Sequence, residues 1–115
     1  MPPGHRARII SRPKLEEFKA SHPEAAQALK NWEDTVTSLK FGTFSELQQQ
    51  INTVDLVHGT FLVFNIMGGR YRLITGVYWP APALYLKHFL THKEYDVWTQ
   101  EQRRAAAKKS NKRRN

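Results

Sequence analysis

The sequence predicts an α+β domain in which an N-terminal strand and helices pack on one face of an antiparallel sheet, with a C-terminal helix after it. Apolar residues recur at helical spacing in the first half of the chain, and two-residue alternation begins near Val54. Glycine and proline turns separate the later segments, which is typical of a strand meander. With 115 residues, of which 40% are hydrophobic, a single domain with a small core is expected.

The first half is predicted to contain one strand and three helices. Residues 5–11 alternate as a short strand, and Pro13 suits the first turn of the next helix. Pro23 interrupts that helix and begins a longer one, because the residue before a proline avoids helical conformations. Thr43 and Glu46 match a capping box, in which Glu46 reaches back to the cap, for a short helix to about residue 51. The long helix should bury one apolar stripe: Ala25, Ala28, Leu29, Trp32, Val36 and Leu39.

The second half is predicted to form three or four strands. A tight turn at Gly59 separates strands 54–58 and 60–67, and Gly68 with Gly69 turns the chain into strand 70–79. The segment from Pro80 to Pro82 ends that strand before the last one, 83–90. Alternation places the helices against one set of side chains: Leu73, Val77, Leu84, Leu86, His88 and Leu90. The uncovered face then collects cations and aromatic rings: Arg70, Arg72, Tyr78, Tyr85, Lys87 and Phe89.

This mixture of cations and rings suits RNA, since charges pair with phosphates and rings stack on bases. A solvated sheet face with ordinary cross-strand pairs is the alternative. The net charge of +8 favours a polyanionic partner without distinguishing a nuclease from a passive binder. No cysteine is present, which excludes disulfides, thiolate zinc sites and cysteine nucleophiles. Neither a membrane-spanning segment nor a signal peptide is apparent, so a cytoplasmic chain is expected.

The segment from Thr91 to Asp96 admits three interpretations. It reads as a helix start, with Thr91 and Glu94 as a capping box and with Tyr95 and Trp98 packing inward. A metal site of His92, Glu94 and Asp96 is disfavoured, because their spacing scatters them around a helix. His92 is also a candidate general acid or base, and a rigid helix start is compatible with that role. The remaining histidines are weaker candidates.

Two motifs together resemble the HigB toxins, the RelE-like toxins of bacterial type II toxin–antitoxin systems. They are Phe64-Asn-Ile-Met-Gly-Gly-Arg-Tyr-Arg-Leu73 and Thr91-His-Lys-Glu-Tyr-Asp96, with Tyr85-Leu-Lys87 between them. The resemblance covers about residues 8–100, and Gly69 stands where many members have asparagine. It implies a small fold of the RelE/ParE type over residues 1–102. The basic tail is particular to this chain: seven lysine and arginine residues with no acid predict a disordered segment at 103–115.

The resemblance implies an mRNA interferase, which enters the ribosome, cleaves the message without metal or cofactor, and arrests translation. On this basis, the expected catalytic residues are His92, Arg72, Lys87 and Tyr95. The expected RNA-binding residues are Arg70, Asn65, Lys93 and Tyr85, and contacts with ribosomal RNA are expected as well. Asn65 and Tyr95 are equally compatible with a purely structural role.

The implied protein partner is a HigA-type helix-turn-helix antitoxin, in a complex expected to be a heterotetramer. Two other functions stay open. A ParE-like inhibitor of DNA gyrase would use the same scaffold, because a fold does not determine a function. A non-catalytic RNA-binding module would bind RNA with steep salt dependence and leave it uncut.

Overall fold

A five-stranded sheet forms the centre of the fold. The computed structural model describes residues 4–79 and 81–113, with only the backbone described beyond residue 107. In this part of the chain the strands are β1 (His5–Arg6), β2 (Arg8–Ile10), β3 (Lys40–Phe41), β4 (Asp55–Val57), β5 (Phe61–Ile66), β6 (Tyr71–Tyr78) and β7 (Ala83–Thr91). The sheet order is β2-β7-β6-β5-β4, and β1 pairs with β3 in a separate ribbon. The predicted antiparallel meander is confirmed for β4 to β7, whereas β2 lies parallel to β7.

The helices begin and end close to the predicted positions. They are α1 (Arg12–Ser21), α2 (Ala26–Ser38), α3 (Phe44–Gln50) and α4 (His92–Arg113), with a 3₁₀ turn at Pro23–Ala25 before α2. Thr43 caps α3 by accepting from the Glu46 backbone N–H at 3.2 Å. The Glu46 carboxylate accepts from the N–H of Gly42 at 2.6 Å, one residue before the predicted partner. Since either N–H would be unsatisfied at a helix start, the capping function is preserved.

The expected single first strand is divided into β1 and β2, and Ser11 after it adopts a left-handed backbone with φ 73°. Strand β6 ends at Tyr78, and Pro80, which was expected to end it, lies outside the described residues. Helix α4 has a helical backbone through Arg113, so most of the segment expected to be disordered continues this helix. A functional boundary at residue 102 stays a prediction.

The main core lies between the sheet and the helices of the first half. The predicted stripe of α2 is confirmed, with Leu29 and Val36 fully buried and Trp32 7% exposed. These residues pack on β5, where the Trp32 and Phe64 rings meet edge to face at 5.3 Å. A second, smaller apolar cluster lies on the opposite face of the sheet, beneath α4. Its buried members are Val63, Ile74 and Trp98, so α4 covers part of the face that the sequence left open.

A β-bulge in β7 changes the predicted face assignment of its second half. Ile74 lies opposite His88 and Thr75 lies opposite Leu86, which leaves Lys87 without a partner in the ladder. An extra residue reverses the alternation beyond it. Phe89, expected on the open face, is therefore buried against the helices. Leu90 and His88, expected on the helix side, are on the α4 side, with Leu90 against the second cluster and His88 beside the Trp98 ring. These three assignments from alternation were wrong.

Within residues 4–79 and 81–113, none of the helices has the length and apolar character required to cross a bilayer.

Candidate functional site

The turn between β5 and β6 positions the first of the candidate site residues. Asn65 of β5 lies directly opposite Arg72 of β6, so their side chains share one face of the sheet. Met67, Gly68 and Gly69 all have positive φ, of 54°, 65° and 95°. This conformation directs the Gly69 carbonyl at the Arg72 guanidinium, which donates a hydrogen bond to it. The turn thus fixes the arginine from the side of the backbone.

Gly69 has a steric role as well as a conformational one. A Cβ atom at this position would lie 3.2 Å from Nη1 of Arg72, at a φ that side chains rarely adopt. The close approach of the guanidinium to the turn therefore depends on the absence of a side chain. A side chain here would require the arginine to move.

Tyr95 holds Arg72 from the other side. The guanidinium carbon lies 5.4 Å from the centroid of the Tyr95 ring, in a cation–π contact. The ring in turn stacks on Trp98 at 5.9 Å, and Trp98 is anchored in the second cluster. Burial raises the pKa of the Tyr95 phenol, and the negative charge of Asp55 adds to this effect. Tyr95 is therefore a neutral hydroxyl at physiological pH, able to donate a proton in a hydrogen bond.

His92 is the first residue of α4 and lies at the same end of the sheet. The predicted capping box is confirmed: Thr91 Oγ1 accepts from Glu94 N–H at 3.1 Å, and Glu94 Oε1 accepts from Thr91 N–H at 2.9 Å. The His92 backbone N–H donates to the Arg70 carbonyl at 3.0 Å, which ties the helix start to β6. The backbone of His92 is thus fixed by its neighbours, while its ring stays accessible.

The His92 side chain has a carboxylate partner, Asp96, which the sequence suggested only as a disfavoured metal ligand. Its Nδ1 lies 3.4 Å from Oδ2 of Asp96, one helical turn further along α4, and both side chains are more than half exposed. A proton on Nδ1 directed at the carboxylate leaves Nε2 for a substrate. The i, i+4 spacing of the two residues was the available signal for this pair.

The structure places four of the expected site residues at one end of the sheet, namely Asn65, Arg72, His92 and Tyr95, which we call the arginine cluster. Within it Arg72 contacts Tyr95 and lies opposite Asn65, and His92 begins the helix that carries Tyr95. Arg70 and Lys93 are exposed at its border. Lys87 and Tyr85 lie elsewhere: they line a groove with Tyr78 and Gly76, on the other side of Trp98 from Arg72. The expected proximity of Lys87 to the catalytic centre is therefore not found.

Among the described residues, no group of three or more histidine, aspartate or glutamate side chains is arranged to hold a metal ion. Glu94, one of the three residues weighed for such a site, uses its carboxylate in the capping box.

Comparison with known proteins gives one family match. The family described as "HigB_toxin, RelE-like toxic component of a toxin-antitoxin system" matches residues 25–98, which is more than half of the chain. No curated protein matches the sequence. The matched range includes all four residues of the arginine cluster and ends at Trp98, and it excludes β1, β2 and α1.

Proposed function

The chain belongs to the HigB toxin family, the RelE-like toxic components of toxin–antitoxin systems, and from this premise we propose that it is a ribosome-dependent endoribonuclease. It would cleave messenger RNA during translation in the cytoplasm and so arrest growth. The observation that carries this proposal is the restrained Arg72, which lies between the Gly69 carbonyl and the Tyr95 ring. An arginine held in this way can stabilise negative charge on a phosphate without reorganising during the reaction.

The proposed reaction is a transfer within the RNA itself. The 2′-hydroxyl oxygen attacks the adjacent phosphorus, a new O2′–P bond forms, and the P–O5′ bond breaks. The products are a 2′,3′-cyclic phosphate and a 5′-hydroxyl. A base accepts the 2′ proton, an acid donates a proton to the leaving 5′ oxygen, and a cation balances charge on the phosphorane-like state. This balance needs neither a metal ion nor an external nucleophile.

We assign these tasks within the arginine cluster. Nε2 of His92 transfers one of the two protons, with Asp96 holding the ring through Nδ1. Arg72 stabilises the phosphate and is oriented by the Tyr95 ring, while the neutral Tyr95 hydroxyl donates to the substrate. Asn65 contributes an amide beside Arg72 on the same sheet face.

The position of Lys87 changes the expected division of work among the cations. Lys87 was expected to assist Arg72 at the phosphate, but it projects into the groove on the other side of Trp98. Arg70, whose carbonyl accepts from His92 N–H, is nearer to the cluster in the fold. We therefore propose Arg70 as the second cation of the site, Lys93 as an RNA contact at its border, and a binding role for Lys87 and Tyr85.

We propose as protein partner a HigA-type antitoxin with a helix-turn-helix domain, in a heterotetrameric complex. A toxin that cleaves messages in its own cell requires such a partner to be neutralised. The acidic segment between residues 15 and 58, with seven acidic residues against three lysines, offers a surface opposite in charge to the basic ends. Co-purification of the two proteins tests the partner, and measurement of the mass of the complex tests the heterotetramer.

The decisive experiment is expression of the full chain with a reporter message, followed by primer extension to locate cut sites. Wild type is expected to cut the message only while it is translated, and His92→Ala is expected to abolish the cuts and the growth arrest. Val97→Ala provides a matched control, because Val97 is 53% exposed on the same helix and lies outside the cluster. Cleavage by a folded His92→Ala protein at the wild-type rate would remove His92 from the mechanism.

Two additional assays separate the alternatives. Inhibition of gyrase supercoiling by the purified toxin, with no cut message, would support the ParE-like function instead. Bound but uncut RNA on translating ribosomes would support a passive binding module. A third assay tests the role of metal: loss of cleavage after addition of a chelator would contradict the metal-independent reaction. The divalent ion that restored cleavage would then identify the metal.

A further inference from the structure

A groove on the far side of Trp98 has the features of a separate nucleotide-binding surface. Its floor is Gly76, which pairs with Phe61 of β5 on one side and with Tyr85 of β7 on the other. Neighbouring strands are about 4.8 Å apart, so the backbones of the two aromatic residues on either side of the glycine are separated from each other by about twice that distance. This row has side chains at both ends and none in the middle, and it forms a slot in the floor of the groove.

Tyr78 extends this slot towards solvent. It is 66% exposed, and its ring lies 5.7 Å from that of Tyr85 at an interplanar angle of 65°. Of the large hydrophobic residues described, only Tyr78 and Val97 have more than half of their surface exposed. An exposed tyrosine beside a second aromatic ring offers a stacking surface for a nucleobase, which is sequence-tolerant because every base has a π-face.

Lys87 adds a positive charge to the same groove. Its Cε lies 3.3 Å from the position that a Cβ of Gly76 would occupy, so the aliphatic stem lies across the glycine floor. The side chain is exposed, which allows its ammonium group to reach a phosphate attached to a base in the slot. The missing side chain at Gly76 thus makes room for the lysine stem, next to the rings of Tyr78 and Tyr85 on which a base can stack.

The electrostatic surroundings also favour a polyanion. The groove continues past Thr60 and Phe61 towards Gln102 and Ala105 on α4, and no acidic residue lines either part. From residue 103 onward the sequence has seven lysine and arginine residues and no acid, and the α4 backbone continues in this direction through Arg113. Charge complementarity therefore favours a polyanion, and the exposed rings of Tyr78 and Tyr85 favour nucleic acid over an acidic protein surface.

We propose that this groove binds a segment of single-stranded RNA at a distance from the cleavage site, with one base stacked on Tyr78 and Tyr85 and its phosphate near Lys87. The inference rests on the proposed function in that it takes RNA as the ligand. It adds a binding subsite that the arginine cluster does not contain, because α4 and Trp98 separate the two surfaces. One RNA strand occupying both would be anchored on either side of Trp98.

Binding can be measured independently of cleavage with a short fluorescein-labelled single-stranded RNA and the full-length protein. Tyr78→Ala is expected to weaken the affinity by about fivefold or more, the loss of one stacked base. Tyr78→Phe keeps the ring and should bind like wild type, and Val97→Ala removes an exposed side chain elsewhere and should also bind like wild type. Thermal melts establish that each variant is folded.

Gly76→Val gives a second, opposite test. A β-branched residue in place of a mid-strand glycine is expected to raise the melting temperature, because glycine weakens strand interiors. The same side chain fills the slot, so RNA affinity should fall while stability rises. A merely structural role for Gly76 cannot produce this combination.

The outcomes distinguish this inference from the proposed function. If Tyr78→Ala and Gly76→Val bind RNA as tightly as wild type while wild type still cuts messages, the groove is not an RNA subsite and the nuclease assignment stands. If these variants instead lose affinity for the antitoxin, the groove is a protein interface and the inference is overturned. If they lose RNA affinity while wild type cuts no message, the subsite stands and the catalytic proposal fails.

Discussion

Replacing Arg72 with alanine should abolish most of the cleavage activity while leaving the protein folded. The side chain makes two contacts with the protein, a hydrogen bond to the Gly69 carbonyl and a cation–π contact with Tyr95. Both are at the surface of the sheet, where the arginine is half-buried. The substitution removes these contacts and also the positive charge that we assign to the phosphate.

The substitution should lower catalysis much more than it lowers the free energy of unfolding. A net hydrogen bond and an accessible cation–π contact each contribute about 1 kcal/mol to stability, against a total of about 5–15 kcal/mol for a typical domain. The folded fraction therefore stays close to one. Loss of a preorganised group that stabilises transition-state charge costs about 10²–10³-fold in rate, or about 2.7–4 kcal/mol. The effect on catalysis should exceed any effect on the amount of folded protein.

The assay is the rate of message cleavage on programmed ribosomes with toxin in excess, which isolates the bound complex from the association step. Arg72→Lys is the matched variant, since it keeps the charge but loses the planar fork that fits both a carbonyl and a phosphate. We expect an intermediate rate for it. If folded Arg72→Ala cuts within about threefold of wild type, the reasoning from the restrained guanidinium is refuted.

The remaining predictions concern stability and binding. Phe89→Ala should lower the free energy of unfolding by about 3–5 kcal/mol, because the bulge turns this side chain into the core. The exposed Tyr78 should cost only about 0.5 kcal/mol or less when replaced by alanine. Urea titrations measure both, and equal effects would contradict the bulge. Thr91→Ala should cost about 1 kcal/mol through loss of the α4 cap, and an unchanged melting temperature would indicate that the cap is dispensable. Truncation after Gln102 lowers the net charge from +8 to +1 and should make RNA affinity less dependent on salt. In a plot of the logarithm of the binding constant against the logarithm of the salt concentration, the slope should flatten by about 0.7 for each lost phosphate contact. An unchanged slope would exclude the tail from binding. Partial desolvation lowers the pKa of His88, and the positive charges of Lys14 and Lys87 lower it further. The unfolded chain therefore binds more protons, and stability should fall as pH drops below the ordinary value of 6.5; His88→Gln should lessen that fall, and equal pH profiles would contradict it.

Local patterns were sufficient to identify most elements of this fold. The α2 stripe is apolar at helical spacing and is buried as expected, because a helix presents residues three and four apart on one face. The capping box at Thr91 and Glu94 involves residues three apart in sequence, so its hydrogen bonds require no tertiary information. The same holds for Gly68 and Gly69 in the turn before β6, because glycine readily adopts the positive φ that both show.

Alternation along β7 was reliable only as far as Leu86. Whether a strand carries a bulge depends on its register against the neighbouring strand, and no residue in the sequence of β7 specifies that register alone. Phe89 consequently moved from the expected RNA surface into the core, where it stacks on Tyr71 at 4.8 Å and on Phe18 at 5.7 Å. The buried position of Phe89 follows from the pairing of Ile74 with His88, which lie on two different strands. The sequence of β7 alone does not contain this pairing.

The sequence by itself determined the α+β class, the helix caps, the turns and the residue types that phosphate chemistry needs, because each depends on neighbours in the chain. Only the tertiary structure decided which of those residues meet. It joined Arg72 to Tyr95, paired His92 with Asp96, and placed Lys87 beyond Trp98 in a groove of its own. The physical reason is that helix packing and strand register, which are set by contacts distant in sequence, determine the distances between side chains.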